Sequence, residues 1–154
     1  MFSRTAEYAL RTTSFLGSRP TTNLTTEEIA TATKVPPAYL SKVIQSLRKA
    51  GLVDSRRGAS GGVKLNKDPE DITILEIINA VDPIERIDRC PLGLAAHGVQ
   101  LCPMHSQLDE ALASIEEIFG ATTLADVLDD PAGSAKRCTF PRSPKKTRRT
   151  ARSR

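Results

Sequence analysis

Cysteine and histidine are scarce in this chain, three and two among 154 residues. An odd cysteine count does not build a disulfide framework, and it suits a reducing compartment in which thiols persist. Long apolar runs are missing as well: none approaches the ~18 residues that a membrane span requires. The opening residues MFSRTAEYALR carry charge where a secretory leader would be apolar. A cytoplasmic protein with no membrane association is therefore expected. Also missing are the α/β alternation that builds substrate pockets and the Gly-Lys-Ser/Thr ending of a phosphate-binding loop. No enzymatic activity and no small-molecule substrate are expected.

Acidic residues are absent from residues 131–154, where nine Lys/Arg fall. The rest of the chain is equally uneven. Residues 1–67 hold eleven Lys/Arg against four Asp/Glu, and residues 68–130 hold two against fourteen. A basic head, an acidic middle and a basic tail are thus hidden behind a net charge of +4. Blocks of this kind point to a polyanion partner for the basic parts, most often nucleic acid. In the tail Pro, Ser, Thr, Lys and Arg replace any apolar period. It reads as disordered, able to grip phosphates without reading bases.

The periodicity predicts a mainly α fold with a small β-hairpin wing. Residues 4–18 read as a helix with Ala6, Ala9, Leu10, Thr13 and Leu16 on one face. Thr25-x-x-Glu28 is a capping box that starts a short helix to about Thr33. Lys34-Val-Pro-Pro37 is a tight connection, and Pro37 opens a helix to about Ala50 at no hydrogen-bond cost. Leu40, Val43, Ile44 and Leu47 form its buried stripe, and Gly51 caps its end. Two short strand candidates then flank the Gly-rich turn Gly58-Ala-Ser-Gly-Gly62. This order is that of a winged helix-turn-helix over residues 1–82, whose second motif helix enters the DNA major groove. A second capping box, Thr73-x-x-Glu76, opens a helix over Ile74–Val81. Residues 83–102 form an irregular loop. Pro103 starts a long helix through Phe119 with Leu108, Ala111, Leu112, Ile115, Ile118 and Phe119 on one side, followed by a short helix at Thr123–Leu128. The long helix suits a twofold homodimer, its alternative being to pack on its own winged domain. Residues 103–130 are thus a dimerisation unit.

Three groups of residues are candidates for double-stranded DNA. On the helix after Pro37 these are Pro37, Ala38, Tyr39, Ser41, Lys42 and Gln45; Gln pairs with adenine, Lys reaches guanine or phosphate, and Ser serves several bases. In the wing they are Arg56, Arg57, Gly58, Ser60 and Gly61, where an Arg beside a tight turn suits the minor groove. Thr26, at the start of the preceding helix, can offer backbone N–H to a phosphate.

Both histidines and two cysteines fall in Cys90-Pro-Leu-Gly-Leu-Ala-Ala-His-Gly-Val-Gln-Leu-Cys-Pro-Met-His105. Thiolate and imidazole suit an iron–sulfur cluster and zinc alike. The paired Cys-x-x-Cys of structural zinc sites is missing, which disfavours zinc. Cys90 and Cys102 as a thiol switch, or as a silent loop, are the metal-free alternatives.

The run Tyr39-Leu-Ser-Lys-Val-Ile-Gln-Ser-Leu-Arg-Lys-Ala-Gly-Leu-Val-Asp-Ser-Arg-Arg-Gly-Ala-Ser-Gly-Gly62 resembles the core of the IscR/NsrR-like family of bacterial winged-helix regulators. Ser3–Arg11 resembles the family's first helix, and Asp68–Asp82 the segment after its wing. The resemblance covers residues 3–130. It implies a homodimer on a palindromic operator that senses redox state, nitric oxide or iron–sulfur status through a cluster, of the 2Fe-2S kind. Cys90, Cys102 and His105 match three ligand positions of that pattern. Its middle cysteine is replaced by Ala96, so His97, or Glu7 from the partner subunit, is the implied fourth ligand. The resemblance leaves two alternatives: a cluster-free thiol or zinc-dependent regulator, and a dimeric scaffold that no longer binds DNA.

Overall fold

A computed structural model describes residues 2–56, 58, 61–91 and 101–129. The predicted tail, Arg57, Ser60 and His97 lie outside the described residues. Among the described residues six helices and one hairpin follow in order: α1 (Arg4–Gly17), α2 (Thr26–Thr33), α3 (Pro37–Lys49), β1 (Val53–Arg56), β2 (Gly62–Leu65), α4 (Ile74–Asn79), α5 (Pro103–Ala121) and α6 (Leu124–Leu128), with one 3-10 turn at Pro69–Asp71. The mainly α winged-helix architecture expected from the periodicity is the one observed.

Helix α1 is the hub, packing against α2, α3, α4 and α6. Ala6 and Ala9 let neighbours approach closely, and Phe15 and Leu16 supply bulk beneath them; all four are at most 1% exposed. Burying a side chain of the Leu or Phe class contributes about 1.5–3 kcal/mol. Phe15 was not in the predicted stripe, and Leu10, which was, is only partly buried. In α3 the predicted stripe of Leu40, Val43, Ile44 and Leu47 is buried throughout.

The α2–α3 connection turns through Lys34, which has φ 58° and ψ 26°. This is the left-handed conformation that side-chain-bearing residues rarely adopt. It lets Val35 tuck into the core at 1% exposure while Pro36 and Pro37 begin α3.

The wing pairs β1 and β2 antiparallel, with Val53 opposite Leu65 and Arg56 opposite Gly62. A third segment joins it, because Leu24 and Val63 exchange two backbone hydrogen bonds of 3.0 and 2.8 Å. That close approach dictates glycine at position 62. A Cβ there would lie 2.9 Å from Asn23 Cβ and 3.0 Å from the Asn23 carbonyl carbon. Gly62→Ala is expected to lower stability by about 1–3 kcal/mol through overpacking, seen as a reduced urea midpoint at unchanged slope.

Helix α4 ends at Asn79, not Val81. The N–H groups of Val81 and Asp82 both turn back onto the Ile78 carbonyl, at 3.0 and 2.8 Å. Pro83 disfavours helical backbone at Asp82 and closes the turn. Two capping boxes sit side by side, at Thr73–Glu76 and Thr123–Asp126. They are joined through Ile74 N to Thr122 O at 2.9 Å and Leu124 N to Ile72 O at 2.7 Å. This seats α6 on α1 and fixes where α5 leaves the winged domain.

Candidate nucleic-acid interface and cysteine–histidine site

Because α3 buries one stripe, its opposite face is free. Pro37, Ala38, Tyr39, Ser41, Lys42 and Gln45 are all exposed. Tyr39 is anchored from below, its ring meeting Tyr8 of α1 edge-on at 5.8 Å between centroids. The Ser41 hydroxyl donates to the Pro37 carbonyl at 3.1 Å. Its proton is thus spent inside the helix, and the lone pairs are what it offers outward. Lys42, Gln45 and Lys49 are long polar side chains on this face, all exposed.

At α2, Thr26 is exposed beside the N-cap Thr25. The Glu28 N–H is already satisfied by the Thr25 hydroxyl at 3.2 Å, and Glu27 and Glu28 place two carboxylates in the first turn. That charge opposes the expected phosphate contact at this end of α2. In the wing, Arg56 is mostly exposed, with Nε 3.1 Å from Asp54 Oδ2. Gly58 takes φ 113°, and its carbonyl accepts from the Gly61 N–H at 2.9 Å, closing the tip.

The second site forms where α5 begins. Cys102 is the N-cap of α5 and Pro103 its first residue. The Cys-x-x-His spacing places Cys102 and His105 one helical turn apart, on the same side. His105 Nδ1 lies 3.2 Å from Cys102 Sγ and 4.0 Å from Cys90 Sγ. His105 is also the buried residue of α5, at 8% exposure. Two thiols twelve residues apart in sequence therefore face one imidazole nitrogen. Among the described residues no group of three or more His, Cys, Asp or Glu side chains is arranged to hold a metal ion. Glu7 makes an ion pair with Arg11 of its own helix.

One cluster escaped the sequence reading. Arg86, in the irregular arm before Cys90, forks onto Asp109 of α5 through Nε and one terminal nitrogen at 2.7 and 2.6 Å. Its other terminal nitrogen reaches Glu116 at 3.3 Å. The Ile87 N–H also donates to Asp109, at 2.9 Å. The Arg86 guanidinium first, and the Ile87 N–H second, hold the Asp109 carboxyl down to about 2. Its depressed value means that the pairing persists above the ordinary carboxylate range and is lost only as pH falls through about 2. A signal for this cluster exists in the sequence. Arg86 is one of only two basic residues in 68–130, and Asp109 and Glu116 follow His105 at i+4 and i+11, on one helical face.

A two-helix motif with a tight left-handed turn, an amphipathic second helix and a Gly-tipped hairpin define a winged helix-turn-helix DNA-binding protein. The chain belongs to the Rrf2 family, described as "Iron-dependent Transcriptional regulator", which matches residues 2–130. It is a family of transcriptional regulators that bind DNA, not of enzymes. The chain is 34% identical over 134 residues to the HTH-type transcriptional regulator NsrR of Geobacillus kaustophilus, covering 82% of this chain and 88% of that protein. Among solved structures, IscR of T. potens superposes with a TM-score of 0.71 at 28% identity, over 93% of each chain. CymR, the global cysteine regulator of B. subtilis, superposes with a TM-score of 0.69 at 26% identity, over 84% of this chain and 96% of that one. Among the described residues no helix is long and apolar enough to cross a membrane.

Proposed function

We propose that this regulator works as a homodimer that reads a palindromic operator and senses redox state, nitric oxide or iron–sulfur status through a cluster, of the 2Fe-2S kind, held at the Cys/His site. The observation that carries the reading is the convergence of Cys90 and Cys102 on His105 at the root of α5. Two soft thiolates and an imidazole are the donor set that iron–sulfur clusters accept. Such a cluster would supply an iron–sulfide centre that oxidation or nitric oxide dismantles. Cys90, Cys102 and His105 would hold it, with His97, or Glu7 of the partner subunit, as fourth ligand. The likeness to NsrR and IscR supports this assignment.

On DNA, Lys42 and Gln45 would read base edges from α3, with Pro37, Ala38, Tyr39 and Ser41 framing the contact. Arg56, Arg57, Gly58, Ser60 and Gly61 would carry the wing contact, and Thr26 would offer a weaker phosphate contact. Ligation at Cys90 ties the arm to α5, and its release lets the two winged heads change separation. Operator affinity then shifts only by the difference in ligand affinity between the two arrangements.

A second reading has its own support. Because Cys90 and Cys102 converge on one imidazole, they also suit a metal-free thiol switch, and the likeness to CymR is compatible with it.

The test is fluorescence anisotropy with duplexes selected from a randomised pool. A palindromic consensus bound in a salt-dependent way is the expected result; no selected sequence and no salt-dependent binding would favour a scaffold that has left DNA behind. Truncation after residue 130 should flatten the salt dependence, because each phosphate that the tail no longer neutralises takes about 0.9 from the log–log slope. An unchanged slope would deny the nine tail Lys/Arg any role on DNA.

A further inference from the structure

The arm that leads to Cys90 has no regular secondary structure from Pro83 to Asp88. It is nevertheless held along one face of α5. His105, Asp109 and Glu116 fall within about 40° of one another around that helix, at 3.6 residues per turn. Arg86 bridges the latter two, and the Ile87 N–H adds a third bond to Asp109. Three residues further on, Cys90 lies over His105.

We propose that Arg86 is the positioning residue for Cys90: its fork on Asp109 and Glu116 latches the arm to α5 and sets the thiol against His105. Only the placement of the thiol is at issue, so the assignment holds whether the Cys/His set carries a cluster, another metal or a thiol pair. The arm is then attached to α5 at two points, the latch and the Cys90–His105 contact. Each attachment reduces the freedom that the other must remove, so the two strengthen each other. The coupling is reciprocal: whatever changes at Cys90 is felt at Asp109 and Glu116, and the reverse. Those two carboxylates belong to the helix whose other face carries exposed Leu108 and Ile118. The latch therefore connects the chemistry at Cys90 to the helix expected to hold the dimer. A lysine at position 86 would offer a point charge without the planar two-pronged match.

The experiment is iodoacetamide labelling of the reduced, metal-free full chain, followed cysteine by cysteine by mass spectrometry. Wild type is compared with Arg86→Ala, Arg86→Lys and Asp109→Asn. Loss of the latch should open the arm locally and speed labelling of Cys90 about tenfold in the Ala and Asn variants, while Cys102, built into the start of α5, changes less than about twofold. Arg86→Lys should fall between, and far-UV circular dichroism should not change. An unchanged Cys90 rate in Arg86→Ala overturns the proposal. So does an equal acceleration of Cys90 and Cys102 with loss of helicity, which would make Arg86 a general stabiliser. Partial rescue by lysine with selective exposure of Cys90 is what a general stabiliser would not produce.

Discussion

Anaerobically prepared protein in which Cys90 or Cys102 is replaced by alanine is expected to be colourless, whereas replacing the third cysteine, Cys138 of the basic tail, by alanine keeps the visible absorption of the wild type. The two thiols that face His105 come from different places, Cys90 from the irregular arm and Cys102 from the N-cap of α5. Removing either leaves at most one sulfur donor beside the imidazole. Soft metal centres depend on thiolate, so iron and sulfide content should fall by at least about tenfold, a loss no smaller than second-shell changes cause. His105→Ala should give the same loss with an added cost in stability, since His105 is the buried residue of α5. Visible absorption, EPR and iron and sulfide analysis read the outcome. A wild-type protein that stays colourless and iron-free after reconstitution would remove the cluster and leave the thiol pair. In that case, mild oxidation should link Cys90 to Cys102, detected by mass spectrometry, and Cys90→Ala should prevent the link.

The winged domain was legible because its signals are local. Thr25-x-x-Glu28, Pro37, and Leu40, Val43, Ile44 and Leu47 each act within one or two helical turns, and all behave in the structure as their spacing predicts. What the sequence concealed depends on contacts between distant segments. The pairing of Leu24 with Val63 needs the hairpin to fold back beside α2, and no pattern around Leu24 announces it. The Arg86 fork joins residues 23 and 30 positions apart. The Cys/His site lies between these extremes. Cys102 and His105 are neighbours by helical spacing, but Cys90 reaches them only because the arm is pinned. The apolar side of α5 was visible as one stripe, and the structure divides it. Phe119 turns towards its own domain, where it packs on the core and meets Phe2 at 5.3 Å between ring centroids, while Leu108 and Ile118 stay 50% and 61% exposed. A hydrophobic period shows that a stripe is apolar without showing which partner each part of it meets.

Placing glutamate at both Leu108 and Ile118 is expected to turn a dimer into a monomer at micromolar concentration and to lower affinity for a palindromic operator at least about a hundredfold, since joining the two heads is worth that factor or more. Met104, Leu108, Ala111 and Ile118 are all exposed on one side of α5, turned by roughly a third of a circle from the His105–Asp109–Glu116 face at 3.6 residues per turn. In a twofold interface the same patch meets itself, so each substitution enters twice, and like charges are brought together where apolar area was to be buried. Within one chain the two side chains contribute little to the core, so helicity and the thermal transition of the domain should change by much less than dimer affinity does. Analytical ultracentrifugation reads the oligomeric state and anisotropy the DNA affinity. Glu117→Gln, exposed on the far side of α5, is the control that leaves both unchanged. A double variant that remains dimeric would place the interface elsewhere. A monomer that still binds the full palindrome with wild-type affinity would mean that each head reads DNA alone. In that event changes at Cys90 could not act by altering the distance between heads, and the effect of the Cys/His site would have to pass through the winged domain of a single chain.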